Sequence, residues 1–273
     1  MGQFATRLDI VADHYYPFSI KSPTRQDRGT GGSRLLFRED TPFPSDFSTD
    51  FLKNSENKED LNMFLASAAR HKSWEKLVYV THGEGVKECT TGGDIRMYED
   101  DGLTLEEADN RMICHISHMI DSGMSRIAVR TADTDVIFIL LGFMSQFYNN
   151  DNRIKIFCDF GTGDHREVIP IHSMHQRLGE EICLGILFFH AFTGCDSTSS
   201  FFEMTKKKWF ERWLSCPMSD KVTTAFQQLS WLPSEETIMR NLDTIKEFIS
   251  FVYIYRGKGK FKYCQTDNAH VLR

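Results

Sequence analysis

The chain has 273 residues, 41% of them hydrophobic and 26% charged, with a net charge of −6. This is ordinary globular composition, long enough for one large domain or two small ones around a sizeable core. It excludes a transmembrane helix, since no run of about 18 apolar residues occurs, and an overall field that draws in nucleic acid, since the molecule is acidic.

In chain order, MGQFATRLD lacks the apolar stretch of a signal peptide. MGQFAT does fit the loose myristoylation pattern through Gly2 and Thr6. Residues 7–13, RLDIVAD, alternate like a short strand that ends on a carboxylate, Asp13. Residues 22–34 are polar and glycine-rich, a loop or arm, and 41–47, TPFPSDF, continue the irregular region. A helix is expected over 57–70, with Leu61, Phe64, Leu65 and Ala68 on its apolar face, followed by a strand at 76–81, KLVYVT. Thr104 and Glu107 have the spacing of a capping box. Leu105, Ala108, Met112, Ile116 and Met119 then line one helical face, which Gly123 stops. A strand at 126–131 follows, and 155–160 and 167–171 flank GTGDH as a hairpin. Residues 173–191 read as one helix, apolar towards its end. Beyond Asp196 come a Lys/Trp-rich helix and a helical stretch through Tyr255. Alternation of helix and strand through the middle predicts an α/β fold with a largely parallel sheet.

The run TADTDVIFILL sets Asp133 and Asp135 one residue apart just after a strand, where the functional groups of open parallel sheets gather. Asp13 ends another strand, Asp196 sits in a Gly-Cys-Asp-Ser-Thr turn, and Glu107 and Asp109 fall in the first turn of the helix opened by Thr104. Six carboxylates at one sheet edge would raise one another's pKa unless a cation neutralised them. Mg²⁺ does so with few carboxylates, and two such ions about 4 Å apart serve phosphodiester hydrolysis. Beside this stands a plainer reading. Asp133 caps the next helix, Asp135 pairs with a Lys or Arg, Glu107 is only a capping residue and Asp13 only a turn residue. Residues two apart on a regular helix point about 200° from each other. Glu107 and Asp109 therefore share a site only if the first turn is irregular or the metals lie above the helix end. Otherwise Glu106 and Asp109 share a face.

Two basic clusters provide local exceptions to the acidic balance. One is Lys206, Lys207 and Lys208 beside Trp209 and Phe210, and the other spans 256–262; a solvated face or a basic tail is the alternative for each. Seven cysteines without a C-x-x-C pair read as free thiols of an intracellular protein, nuclear or cytoplasmic. Zinc has candidate ligands in His172 and His175, His115 and His118, and Cys183 with His190, but no pair of pairs at familiar spacing.

Taken together, LDIVADHYYPFSIKSPTR, LEEADNRMICHI, TADTDVIFILL and VIPIHSMHQRLGEEICLGILFFHAFTGCDS resemble, in order, segments of the PIN-like 5′-nuclease superfamily, which includes flap endonucleases. The nearest likeness is to animal proteins with an A-L-T-G-C-D-T-T-S-like turn. The resemblance implies a three-layer α/β/α domain over 1–200, with 20–50 as a loop or arm, and a helical C-terminal extension over 201–273. It implies Asp13, Glu107, Asp109, Asp133, Asp135 and Asp196 as ligands of Mg²⁺ or Mn²⁺, with Asp133, Asp135 and Asp196 catalytic. Lys21 and Arg25 would contact phosphate, with Lys206, Lys207 and Lys208 as further nucleic-acid contacts, and the reaction is cleavage of a DNA or RNA phosphodiester near a junction or end. The pattern departs from the family in three places. The family has another Asp on an earlier central strand, which is expected to be missing here because only seven residues precede Leu8. Residues 201–210, FFEMTKKKWF, lack the glycines of a helix-hairpin-helix, and Asn110 replaces an acid of some relatives. Other readings are a catalytically degenerate PIN-like module that binds nucleic acid or protein, a haloacid-dehalogenase-type phosphatase with Asp133 as nucleophile, and a Mn²⁺-dependent glycosyltransferase.

Overall fold

The computed structural model describes residues 5–14, 32–36, 38, 40–42, 44–47, 50–71, 74–82, 85–88, 94–95, 105–148, 154–195 and 198–254. Gly2, Lys21, Arg25, Thr104, Asp196, most of the polar arm and the basic cluster at 256–262 lie outside the described residues. The protein is mixed α/β, with eight α-helices and two small sheets among those residues and a helical C-terminal region. Among the described residues no helix is long and apolar enough to cross a membrane. They show no single continuous parallel sheet, because each sheet combines one parallel pair with antiparallel neighbours. The chain divides into two compact units, Met1–Met119 and Ile120–Arg273.

In the first unit, β1 (Arg7–Ile10) runs parallel to β2 (Leu77–His82). Then β3 (Gly85–Glu88) and β4 (Asp94–Ile95) add antiparallel. Helix α1 (Ser55–His71) lies on β2 through a face other than the expected one. Ala66 and Ala69 are buried against Val78 and Val80, with Trp74 beside them. Leu65 is 51% exposed, and Leu61 and Phe64 are only half-buried. Alanines carry little side chain, so they let the helix approach the sheet closely; the larger residues at 61, 64 and 65 would hold it off.

Helix α2 (Ala108–Asp121) starts at Ala108, which corrects the expected start at Thr104. Its first amide donates to Asp13 Oδ1 at 2.8 Å, so the cap comes from the segment after β1, which ends at Ile10 and not at Asp13 as expected, rather than from a local capping box. His14 N donates to Glu106 O at 2.8 Å and Arg111 Nη1 to Ala12 O at 3.1 Å, tying the two segments side by side. The buried face of α2 is partly ionic. His115 Nδ1 lies 2.6 Å from Asp9 Oδ2, and Arg7 holds both Asp9 oxygens at 2.7 Å. The Arg7 guanidinium also lies 3.9 Å from the Tyr79 ring centre. Burial alone would push the Asp9 carboxyl up, but the hydrogen bonds and charges of Arg7 and His115 outweigh it and hold it below the usual carboxylate range.

In the second unit, β5 (Arg126–Thr131) is parallel to β6 (Lys155–Phe160), and β6 makes the expected hairpin with β7 (Glu167–Pro170). Asp159 is buried in that hairpin and receives Arg166 Nε at 2.6 Å. α3 (Thr134–Tyr148) follows β5. The single helix expected at 173–191 is two, α4 (Ile171–Leu178) and α5 (Glu180–Phe192). They break at Gly179, whose φ of +86° a residue with a Cβ rarely adopts. α6 (Lys206–Ser215), α7 (Ser219–Leu229) and α8 (Glu235–Ile254) complete the unit. Trp209, Trp213, Phe226 and Phe248 are fully buried there, in stacked, edge and tilted ring contacts with one another and with Phe189 and Phe192 of α5.

Candidate functional site

The two carboxylates of TADTD stand where β5 hands over to α3. Thr131 Oγ1 accepts the Asp133 amide at 3.0 Å, and Asp133 Oδ1 accepts the Asp135 amide at 2.9 Å. Asp133 is therefore the N-cap of α3, as the plainer reading expects. Asp135 lies in the first turn of the helix, where the unpaired amides favour a negative charge. Its side chain is 28% exposed and its Oδ1 lies 3.1 Å from His190 Nε2. The partner is a histidine rather than the expected Lys or Arg.

His190 sits in the last turn of α5, 8% exposed, its ring stacked on Phe138 of α3 with centres 4.2 Å apart. At 3.1 Å its Nε2 and Asp135 Oδ1 still fall outside hydrogen-bond geometry. Neither ring nitrogen has a hydrogen-bond partner among the described residues. Burial pushes the imidazole pKa down and the nearby Lys206 charge adds to that; Asp135 and Asp133 oppose without reversing it.

Beyond His190 the chain turns at Gly194, φ +101°, where a Cβ would lie 2.7 Å from Ser200 Cβ. The turn returns Cys195 towards the helix it has just left. Cys195 pairs with Thr198 in an isolated bridge, and its Sγ is 3.3 Å from Thr198 Oγ1. Thr198 gives its one hydroxyl hydrogen to Ala191 O at 2.7 Å, so the thiol is the donor in that contact. Donor atoms of Asp135, His190 and Cys195 all lie within 4.8 Å of one another.

Lys206 braces this turn. Its ammonium donates to His190 O at 2.8 Å, to Thr193 Oγ1 at 3.2 Å and to Gly194 O. Burial pulls the lysine pKa down, and the neighbouring Cys195 and Asp135 oppose this without reversing it. Of the three lysines expected to meet nucleic acid, Lys206 is turned inward, and Lys207 and Lys208 are exposed. Trp209 is fully buried, which removes it as a surface for stacking bases. Phe138 and Lys206 also line a pocket of about 510 Å³, walled by Leu141, Met174 and Phe210 and reached by Arg177 and Lys207.

In the first unit, Asp13, Glu107 and Asp109 meet around the start of α2. Asp13 Oδ1 caps Ala108, Glu107 O accepts the Arg111 amide at 3.1 Å, and Asp109 lies in the first turn. Asp133 and Asp135 come together in the second unit. Lys21, Arg25 and Asp196 lie outside the described residues. In the sequence Cys195 stands out only as one of seven thiols and as the cysteine of the Gly-Cys-Asp-Ser-Thr turn. His190 appears there beside Cys183, which is buried in α5 with its thiol pushed up to about 12, chiefly by burial. The signal that finds the cluster is H-x₄-C across a Gly turn, since such a turn reverses the chain.

No family model, curated protein or solved structure matches the chain.

Proposed function

We propose that the protein is a divalent-metal-dependent nuclease that hydrolyses nucleic-acid phosphodiesters, on a three-layer α/β/α domain of the PIN-like 5′-nuclease kind extended by C-terminal helices. The observation that carries this reading is the Asp133/Asp135 pair at the carboxyl end of β5, the position at which open α/β sheets collect chemistry. The donors fit a hard cation. Asp133 spends Oδ1 on the helix and keeps a second oxygen, and Asp135 is partly open to solvent. Mg²⁺ or Mn²⁺ held by Asp133 and Asp135, joined by Asp196 as the resemblance implies, would supply Lewis-acid activation of water and charge neutralisation at the leaving oxygen. The protein's own groups do the rest. Arg177 and Lys207 offer positive charge for phosphate, and the apolar wall of the adjoining pocket suits a base. An intracellular site of action, nuclear or cytoplasmic, goes with this reading.

The test incubates wild type, Asp133→Asn and Asp135→Asn with Mg²⁺ or Mn²⁺ and labelled flap, hairpin and single-stranded substrates. Chelator-sensitive cleavage is expected in wild type and a loss of at least about a hundredfold in each variant. Equal cleavage in all three proteins, or none in any, removes the proposal. Asp13→Asn and Asp109→Asn, assayed the same way, test the carboxylates of the first unit.

A second reading has its own support. Asp133 is satisfied as a cap and Asp135 lies 3.1 Å from His190, which a catalytically degenerate binding module would also show. Retained binding of the same labelled strands without cleavage would favour that module.

A further inference from the structure

We infer that Asp135, His190 and Cys195 form a site for a borderline-soft transition-metal ion, zinc above all. The inference shares Asp135 with the nuclease reading but does not rest on it. Three observations support it. First, the three residues offer one oxygen, one nitrogen and one sulfur, all within 4.8 Å of one another. In a tetrahedral zinc centre, with bonds of about 2.0 to 2.3 Å, donors lie about 3.3 to 3.8 Å apart. Asp135 and His190 are already at 3.1 Å, so small side-chain adjustments suffice.

Second, His190 is 8% exposed and both its ring nitrogens lack a hydrogen-bond partner among the described residues. A buried imidazole left in that condition costs free energy, and a metal bond at one nitrogen relieves it. The stack on Phe138 fixes the ring plane, and Lys206, bound to the carbonyls of His190 and Gly194, fixes the segment that carries two of the three ligands.

Third, the donor set selects the metal. Mg²⁺ prefers oxygen and dehydrates reluctantly, whereas thiolate and imidazole favour zinc and its neighbours. On binding, the Cys195 S–H bond breaks, the sulfur keeps the electron pair as a ligand, and the proton leaves to solvent. One thiolate and one carboxylate balance the two positive charges of the ion, so the filled site is neutral, where the empty one carries the single negative charge of Asp135 beside Lys206. Three protein ligands leave one of four positions open, the pattern of reactive rather than purely structural zinc sites.

The test uses the full chain, stripped with a chelator and titrated with Co²⁺. One equivalent should produce a thiolate-to-cobalt band in the near ultraviolet together with tetrahedral d–d bands. Zn²⁺ should abolish both, and millimolar Mg²⁺ neither. Cys195→Ser should lose the thiolate band, and His190→Gln and Asp135→Asn should each weaken Co²⁺ binding by about tenfold or more. A thiolate band that survives in Cys195→Ser, or full displacement by Mg²⁺, overturns the site. Zinc-edge X-ray absorption on wild type is independent of any variant's folding. One sulfur per zinc supports the site; none, or more than one, overturns it. Metal binding without cleavage leaves this site standing and removes the nuclease, while Mg²⁺-dependent cleavage without a cobalt–thiolate band does the reverse.

Discussion

Asp133 Oδ1 accepts the amide of Asp135, so its substitutions separate a structural role from a chemical one. Asp133→Ala should lower stability by about 1 kcal/mol through the lost cap, while Asp133→Asn, which keeps an oxygen there, should be near neutral in urea denaturation. If Asn also costs a full unit, the carboxylate charge rather than the cap is stabilising the helix. Legibility at this scale was uneven. A D-x-D after a strand is visible in the sequence, and so is its choice between cap and ligand. Its partner was not visible, because His190 lies 55 residues further on and reaches Asp135 only where α5 packs on α3. Asp9 was hidden for a similar reason. It alternates inconspicuously in RLDIVAD, and only the packing of α2 on β1 brings His115 to it.

The C-terminal helices show how an element can read as a surface and prove to be core. The sequence KKKWF groups charge with aromatics, as a nucleic-acid patch does, but one helical turn divides it. Lys207 and Lys208 face solvent, and Trp209 packs against Phe192, Phe201 and Phe248. Trp209→Ala should therefore cost about 3 to 5 kcal/mol. Lys207→Ala with Lys208→Ala should change stability by no more than about 0.5 kcal/mol. Thermal unfolding followed by circular dichroism distinguishes the two, and a stable Trp209→Ala protein would contradict the packing described. Element type was legible throughout this region from periodicity. Which face of each helix is buried was not, since 3–4 spacing marks a stripe but not what lies against it. α1, which buries Ala66 and Ala69 and leaves Leu65 exposed, is the clearest instance.

Across the whole molecule, each unit pairs a buried aspartate with an arginine, Asp9 with buried Arg7 and Asp159 with half-exposed Arg166. Hydrogen bonds from Arg166 hold Asp159 below the usual carboxylate range despite its burial, and Asp9 is low for the reasons given above. A carboxyl depressed in the folded state binds its proton less readily there than in the unfolded chain, whose Asp titrates near about 3.9. The stability it contributes is complete above that value and is lost as pH falls through the lower folded value. Urea midpoints should accordingly be level near neutral pH and drop below about pH 4. Asp9→Asn should lower stability at pH 7 by about 3 kcal/mol by leaving buried Arg7 without its counter-charge, and should shrink the acid-dependent fall. A variant with an unchanged acid slope would show that Asp9 does not carry it. The sequence by itself determined the mixed α/β class, most of the helices and strands, the β6–β7 hairpin and the carboxylates just after β5, because all of these rest on local periodicity and turn chemistry. Only the tertiary structure decided that Asp13 caps α2, that Lys206 turns inward, and that His190 and Cys195 join Asp135. Such pairings depend on chain segments far apart in sequence coming together, and the packing that joins them leaves no spacing to read.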